Sequence, residues 1–418
     1  MTKKLDTTFI QIVHPVCCGL DVHKKKISAC LITIDEQGKE QYEIKEFGTF
    51  TNDLFVMRKW LTDNNCPIVA MESTGVYWRP VHNVLEGFME VILVNARHIK
   101  NVPGRKTDIS DCKWLAGLLR HGLLRGSFIP PKEIRQWREL TRLRRSYTES
   151  LADYKRRIHK LFETANIKID SVVSDLFGVT GRNLISLLCD ESELSLSNIK
   201  KNAKGTLKSK SNELHSSIHG FFEDHHRFQL IGMMEIITNF EQKITEITKR
   251  LNSLTAGHQN LLDRLDEIPG INKKSAQSIV SEIGVILDDF ICMAALASWA
   301  GLCPGNNESA GKRKSGRSSV RSHPFKTILI EVAWAAIKKK GSYYRAKYFK
   351  LKARRGAKKA IVAIAHRISK AIYNIIKHGA TFKDLGEDYL TTQTKQRAIK
   401  NIKNRAKQLG YKLVPCMN

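Results

Sequence analysis

Short apolar runs alternate with amphipathic segments over the first 120 residues. Apolar runs flanked by turn residues predict strands, at residues 16–21, 26–34, 41–47, 67–71 and 91–94. Two intervening segments predict helices, at residues 53–63 and 77–85. A further helix is predicted over 112–119, with Asp108 in the N-cap position.

The predicted order of these elements is therefore βββαβαβα. The two connections at the start are short enough for hairpins, so the first three strands are expected to be antiparallel neighbours. This order is that of the ribonuclease H-like fold, closest to its RuvC-type branch. We therefore predict an α/β N-terminal domain followed by helical regions.

The pattern becomes helical after Pro130-Pro131, which is a plausible domain boundary. Apolar residues recur at spacings of three or four from Leu140 to Leu161. From Leu230 to Leu254 they alternate three and four, which is a coiled-coil heptad pattern. Two such helices can pack as a hairpin or against a second protomer. The polar run from Lys200 to Ser217 is expected to be exposed.

The segment Ile268-Pro269-Gly270-Ile271 lies between two predicted helices and resembles a helix-hairpin-helix turn. Such a turn presents backbone N–H groups to a phosphate. We therefore expect Gly270, Lys273 and Lys274 to contact nucleic acid, although a plain helix–helix turn fits the same pattern. The last residues, 395–418, are basic and are expected to fray.

The formal net charge is +28, and it is concentrated in the last third of the chain. Residues 261–418 hold 31 Lys and Arg against 11 Asp and Glu. Residues 312–359 hold 17 basic residues and one acid, Glu331, with aromatic residues interleaved. A nucleic acid is the natural partner of such a surface, although ribosomal and membrane-surface proteins can be as basic. The basic residues expected to contact it, besides those of the turn, are Lys106, Lys312, Arg313, Lys314, Arg317 and Arg321.

Nine cysteines occur without any C-x-x-C pair or zinc-ligand spacing. We expect free thiols in a reducing cytoplasm, most of them small core residues. No apolar run reaches the roughly 20 residues that a membrane-spanning helix needs, so no membrane partner is expected.

Four acids follow predicted strands or begin the helix after the last strand: Asp21, Glu72, Asp108 and Asp111. Carboxyl ends of strands gather at one edge of an open α/β sheet. Hard divalent ions such as Mg²⁺ prefer oxygen ligands, and one or two such ions could activate a phosphodiester. Taken singly, these acids could also be a turn residue, a solvated strand end and helix-capping residues.

Three segments carry a family resemblance: Gly19–Lys24, Met71–Gly75 and Lys106–Asp111. They resemble the Asp-Glu-Asp-Asp signature of transposases of insertion-sequence family one hundred and ten, described as RNA-guided bridge recombinases. The resemblance implies that Asp21, Glu72, Asp108 and Asp111 form the acidic tetrad. It also implies a serine nucleophile in a Ser-(Gly/Ala)-Gly-Lys stretch, which here is Ser309-Ala310-Gly311-Lys312.

The sequence thus predicts a DNA transposase or recombinase that uses Mg²⁺, acts on donor and target DNA and is guided by a structured RNA. We expect a bacterial, cytoplasmic, nucleoid-associated enzyme that forms a homo-oligomer, a dimer or a tetramer on DNA. Two alternatives stay open: a RuvC-like junction nuclease, and a non-catalytic architectural protein. The expected divisions are 1–129 for the metal domain, 130–262 for the coiled-coil region, 263–390 for the transposase domain and 391–418 for a basic tail.

Overall fold

The computed structural model describes residues 11–73, 75–95, 111–190, 192–304, 323–412 and 414, and the backbone alone of 307–309 and 312–315. These residues form two compact units, 1–129 and 130–418. No separate unit begins at 263 or 391, so the finer divisions stay predictions. No described helix is both long enough and apolar enough to cross a membrane.

The first unit is built on a five-stranded sheet. Its strands are β1 (Cys17–Val22), β2 (Lys26–Ile34), β3 (Glu40–Gly48), β4 (Ile68–Glu72) and β5 (Glu90–Val94). Its described helices are α1 (Thr51–Asp63), α2 (Trp78–Leu85) and α3 (Asp111–Arg120). The strand order is β3-β2-β1-β4-β5, with β1, β2 and β3 antiparallel and β1, β4 and β5 parallel. Among the described elements, the predicted βββαβαβα order and the hairpin neighbours are confirmed.

Both faces of this sheet are covered, which explains why β1 and β4 are almost entirely apolar. On one face, Leu54 and Met57 of α1 pack with Leu20 and Met71. On the other face, α3 packs through residues such as Leu115. Alternate residues of each strand point to opposite faces of the sheet, so their position along the strand determines which layer they enter.

Cysteines in the sheet and just before β4 are core residues, as predicted. Cys17, Cys18, Cys30 and Cys66 are all buried free thiols. Burial raises the pKa of Cys17 to about 12 and that of Cys30 to about 11. These thiols are therefore protonated at neutral pH and poor nucleophiles.

Where the structure describes it, the second unit is helical apart from one short hairpin. Its helices are α4 (Lys132–Thr164), α5 (Ile169–Val172), α6 (Val179–Cys189), α7 (Leu196–Asn202), α8 (Ser211–Ile218), α9 (Asp224–Leu254), α10 (Gln259–Asp266), α11 (Lys273–Ile283), α12 (Met293–Trp299), α13 (Pro324–Ala336), α14 (Tyr343–Arg355), α15 (Ala357–His378) and α16 (Tyr389–Gln408). The hairpin strands are β6 (Asn307–Ser309) and β7 (Lys312–Ser315).

The long helices α4 and α9 pack against each other within one chain. The Phe240 ring of α9 lies 5.6 Å from Tyr147 and 6.1 Å from Tyr154 of α4. Leu230 and Leu251 of the heptad seam are both fully buried. The hairpin prediction thus holds, whereas the expectation that these two leucines face a second protomer is wrong.

Two expectations about polar segments are also corrected. The run Lys200–Ser217 is not simply exposed, since its Ala203 and Leu214 are buried in the helical core. The end of the chain does not simply fray, because Tyr389–Gln408 forms α16, with Leu390 buried. In the first segment a few apolar residues anchor an otherwise polar sequence, whereas in α16 the buried residue is Leu390.

Polar contacts join α4 to α11. Arg142 donates to both carboxylate oxygens of Glu282, at 2.8 and 2.9 Å, and the Glu282 side chain is only 3% exposed. Arg138 donates to the carbonyl oxygens of Ser281 and Glu282. Buried carboxylates are tolerated when they are paired in this way, so this contact fixes how α11 lies on α4.

We expect Gly19→Ala to destabilise the first unit by roughly 1–3 kcal/mol, as overpacking does. A Cβ at this position would lie 2.2 Å from the carbonyl oxygen of Cys112 and 2.5 Å from the amide nitrogen of Ala116. Urea unfolding measures the change. The matched control is Gly117→Ala in α3, where a Cβ meets nothing within 4 Å, and which should be neutral or stabilising. Equal effects of the two substitutions would contradict the close approach of α3 to β1.

We expect Leu230→Glu to unfold the second unit rather than to separate protomers, because the side chain is buried within the chain. The cost of burying a carboxylate there is about 3 kcal/mol or more. Phe228→Glu is the control, since Phe228 lies on the same helix and is 79% exposed. Circular dichroism measures the helicity of each variant, and light scattering measures its mass in solution. A halved mass with intact helicity for Leu230→Glu would show that the seam joins two chains.

Candidate active site

Asp21 and Glu72 lie at the same end of two neighbouring parallel strands. Asp21 is the last but one residue of β1, and Glu72 is the last of β4. Leu20 pairs with Met71 in the parallel register, so the next residue on each strand is an acid. The two carboxylates therefore leave adjacent strands at their carboxyl ends, as the sequence predicted for this edge.

The two acids also share a face of the sheet. Residues two apart on a strand point to the same side. Cys17 of β1 and Ala70 of β4 belong to the core layer that includes α3. Asp21 and Glu72 follow them at even spacings, so both belong to the face that α3 covers.

Helix α3 brings a third acid to the same end. It runs antiparallel to β1, because the Arg120 carbonyl oxygen accepts the Val13 amide before β1 begins, while Cys112 lies against Gly19. The first residue of α3 is Asp111, which therefore lies toward the carboxyl end of β1. Asp111 is exposed and Glu72 is half-buried. Asp108 and Lys106 lie outside the described residues.

One neighbour of this edge was not assigned from the sequence. His23 places its Nε2 atom 3.0 Å from Oδ2 of Asp21, and its side chain is 60% exposed. It stands inside the Gly19–Lys24 motif, which was the available signal. This contact helps to orient the Asp21 carboxylate.

The donor set of this edge fits a hard divalent ion. Asp21, Glu72 and Asp111 offer carboxylate oxygens, the ligands that a hard divalent ion prefers, whereas the Cys112 thiol of α3 is buried in the apolar layer. Like-charged carboxylates gathered at one end are stabilised by a cation between them. Asp21, Glu72 and Asp111 are thus the described residues that would hold it.

In the described part of the chain, a different group has side-chain atoms close enough together to bind one metal ion. Glu223, His225 and His226 have potential ligand atoms all within 4.8 Å of one another. The start of α9 accounts for this arrangement, since His226 Nδ1 accepts the Glu223 amide and Glu223 caps the helix. Helix capping thus explains Glu223 and His226, and His225 Nδ1 lies 3.3 Å from a carboxylate oxygen of Glu223.

Ser309 lies in a β-hairpin, although the Gly- and Ser-rich basic sequence around it, residues 304–317, predicts a loop. It is the last residue of β6, and it pairs with Lys312, the first residue of β7. Arg313 pairs with Glu308, and Lys314 also belongs to β7. Arg317 and Arg321 lie outside the described residues. The hairpin therefore keeps the backbone of Ser309 next to that of a basic residue.

The predicted helix-hairpin-helix turn does join two helices, α10 and α11. Gly270 has φ +88°, and a Cβ there would lie 2.3 Å from the Val332 carbonyl oxygen of α13. The glycine is thus required by packing against α13. Asn272 caps α11 by accepting the Ser275 amide, and Lys273 and Lys274 are exposed in its first turn.

Two family models match the chain. A model described as DEDD transposase of the IS110 group matches residues 18–167, and one described as "Transposase IS116/IS110/IS902 family" matches residues 262–349. The chain is an IS110-family transposase. It is therefore an enzyme of DNA strand cleavage and transfer, and its family implies dependence on a divalent metal. No curated protein matches the chain.

The first match covers the acidic edge of the transposase, including Asp21, Glu72 and Asp111. The second covers the Ser309 hairpin together with the 268–271 turn. The two predicted parts of the chemistry thus lie in different units of the structure.

Proposed function

We propose that this transposase cleaves and rejoins donor and target DNA with Mg²⁺, as one or two ions, held by Asp21, Glu72, Asp108 and Asp111. The observation that carries this is the parallel register of β1 and β4, which sets Asp21 and Glu72 side by side on the face where α3 begins. The same strand order supports a RuvC-type ribonuclease H-like domain.

We further propose Ser309 as the nucleophile. Its Oγ forms a bond to phosphorus while the bond from phosphorus to a deoxyribose oxygen breaks, so phosphodiester energy is kept in a protein–DNA ester. The serine proton leaves to solvent, and the departing oxygen takes up a proton. Lys312, Arg313 and Lys314 supply positive charge for the phosphate oxygens. A bound divalent ion would activate the attacking oxygen and neutralise charge on the phosphate.

Substrate handling forms the remaining part of the proposal. Lys106, Gly270, Lys273, Lys274, Arg317 and Arg321 complete the expected nucleic-acid contacts. A structured guide RNA pairs with donor and target DNA, and the enzyme works in the bacterial cytoplasm on the nucleoid. Joining two DNAs requires at least two chains, so a dimer, or a tetramer on DNA, performs the reaction. The alternative is a RuvC-like nuclease whose second unit only holds DNA.

Metal binding is tested without catalysis. We expect Mg²⁺ or Mn²⁺ to raise the melting temperature of the parent chain, because a ligand of the folded state stabilises it by mass action. Asp21→Asn with Glu72→Gln should abolish that rise. The same double variant should reduce the rate of strand cleavage by at least about a hundredfold. Differential scanning fluorimetry and cleavage of supercoiled plasmid measure the two effects.

The control for charge alone is Glu36→Gln, an exposed acid in the turn after β2. It should keep both the metal-induced rise and the cleavage. If the double variant still responds to metal as the parent does, the acidic edge is not the metal site.

Ser309 is tested by trapping. Denaturing the reaction midway should yield a DNA–protein adduct from the parent chain, and Ser309→Ala should lose the adduct while DNA binding persists. Ser315→Ala is the matched control in the same hairpin and should keep it. An adduct that maps to another serine, or none from the parent, would favour direct transesterification or the nuclease alternative.

A mixture of the two inactive chains extends this test. If Ser309→Ala and Asp21→Asn chains together restore the adduct, serine and metal edge come from different protomers. If the mixture stays inactive although each chain binds DNA, they come from one protomer.

A further inference from the structure

Three helices near the end of the chain carry basic residues and no acids. Helices α14, α15 and α16 together contain 17 Lys and Arg and not one Asp or Glu. The sequence between Glu331 and Asp384 likewise holds no acid. These helices therefore cannot neutralise their own charge by pairing with one another.

Four of these cations converge around a fifth, Lys347. Lys347 of α14 is half-buried. Burial and then the charges of Arg367, Lys350, Arg397 and Arg354 lower the pKa of Lys347 below its usual value. The five residues come from all three helices, so the cluster is a product of the fold. We refer to Lys347, Lys350, Arg354, Arg367 and Arg397 as the three-helix cluster.

Contacts between the helices hold the cluster in place. Lys350 of α14 donates its Nζ to Thr394 Oγ1 of α16 at 2.9 Å. The Arg367 guanidinium of α15 lies over the Tyr343 ring of α14, 5.6 Å from its centre. Tyr343 in turn packs edge-on against Tyr389 of α16 at 5.8 Å. Lys350 and Arg367 are thus ordered before any ligand arrives, which reduces the entropy lost on binding.

Several other basic residues of the same unit are paired with acids. Arg156 lies 3.2 Å from Asp153 and Lys243 lies 3.0 Å from Glu246. By contrast, within the residues described here no member of the three-helix cluster has an acid at ion-pair distance. Gathering like charges around a half-buried lysine destabilises the folded state. A bound polyanion would relieve this repulsion.

We propose that the three-helix cluster is a binding site for the phosphodiester backbone of nucleic acid, distinct from the Ser309 hairpin. This proposal rests on the transposase function in one respect, the choice of nucleic acid as the polyanion. Guanidinium and ammonium groups on three rigid helices suit several successive phosphates rather than one small anion. The site has no base-reading geometry of its own, so it binds without regard to sequence.

The test compares two triple variants of the full chain, each losing three positive charges. The cluster variant is Lys350→Gln, Arg367→Gln and Arg397→Gln. The control is Arg156→Gln, Lys168→Gln and Lys243→Gln, whose native residues pair with Asp153, Glu163 and Glu246. Binding of a labelled duplex DNA and, separately, of a structured RNA is measured over a salt series in EDTA. EDTA removes divalent ions and so prevents metal-dependent cleavage during the binding measurement. A negative result for the three-helix cluster is therefore independent of a negative result for the proposed catalysis.

Each lost phosphate contact lowers the slope of log affinity against log salt by about 0.9 on duplex DNA, and affinity by about 8-fold at about 0.1 M salt. We expect this slope to be smaller by about 2–3 for the cluster variant than for the parent. The slope of the control should stay close to that of the parent. A loss confined to DNA or to RNA supports the site and identifies which of the two it holds. Equal slopes for both variants and the parent on both probes overturn the proposal.

A second measurement uses the unmutated chain and so does not depend on the folding of a variant. Acetylation of lysines is followed by mass spectrometry with and without nucleic acid. Lys347 and Lys350 should be protected several-fold by the bound probe, while Lys243 should not. Unchanged modification of Lys347 and Lys350 on a saturated complex would also overturn the proposal.

Discussion

The close approach of α3 to β1 is the constraint on which the acidic edge depends. A helix normally stands off a sheet by the length of its side chains, but at residue 19 there is none. The carbonyl oxygen of Cys112 therefore occupies the space that a Cβ would fill. Because α3 lies this close and runs antiparallel to β1, its first residue, Asp111, reaches the end where Asp21 emerges. Any larger residue at position 19 would displace the helix together with its acid.

The second unit depends on a different kind of contact. Its long helices α4 and α9 form an apolar hairpin, and α11 is tied to α4 by guanidinium groups rather than by hydrophobic residues. Arg144, like Arg142, reaches across to α11, donating to Gln277 at 3.0 Å. Such contacts require defined geometry from both partners. They orient the 268–271 turn, whose Gly270 is packed against α13.

Charge is divided between the two units in a way that suits the division of labour proposed for them. The acids form one edge of a small sheet, where they can gather a cation. Much of the excess of basic residues lies on three helices that carry no acids of their own, where a polyanion can bind. A transposase needs both, since the phosphate to be cut must approach carboxylates that would otherwise repel it.

Several features follow from the sequence by itself. The period of two in the strands and the apolar spacing in the helices are local properties, so the βββαβαβα order, the buried cysteines and the two long helices α4 and α9 were predictable. The position of Asp21 and Glu72 after apolar runs also places them at strand ends without a structure. The family motifs identified the transposase for the same reason, since motifs are read along the chain.

Only the tertiary structure decided the rest, because those features depend on residues far apart in sequence. A heptad seam has the same pattern whether α4 or a second chain covers it, and burial of Leu230 within the chain decides for α4. The reason for glycine at position 19 lies in Cys112 and Ala116, nearly a hundred residues later. Likewise, Lys347, Arg367 and Arg397 are unremarkable basic residues in the sequence, and only the packing of three helices brings their charges together.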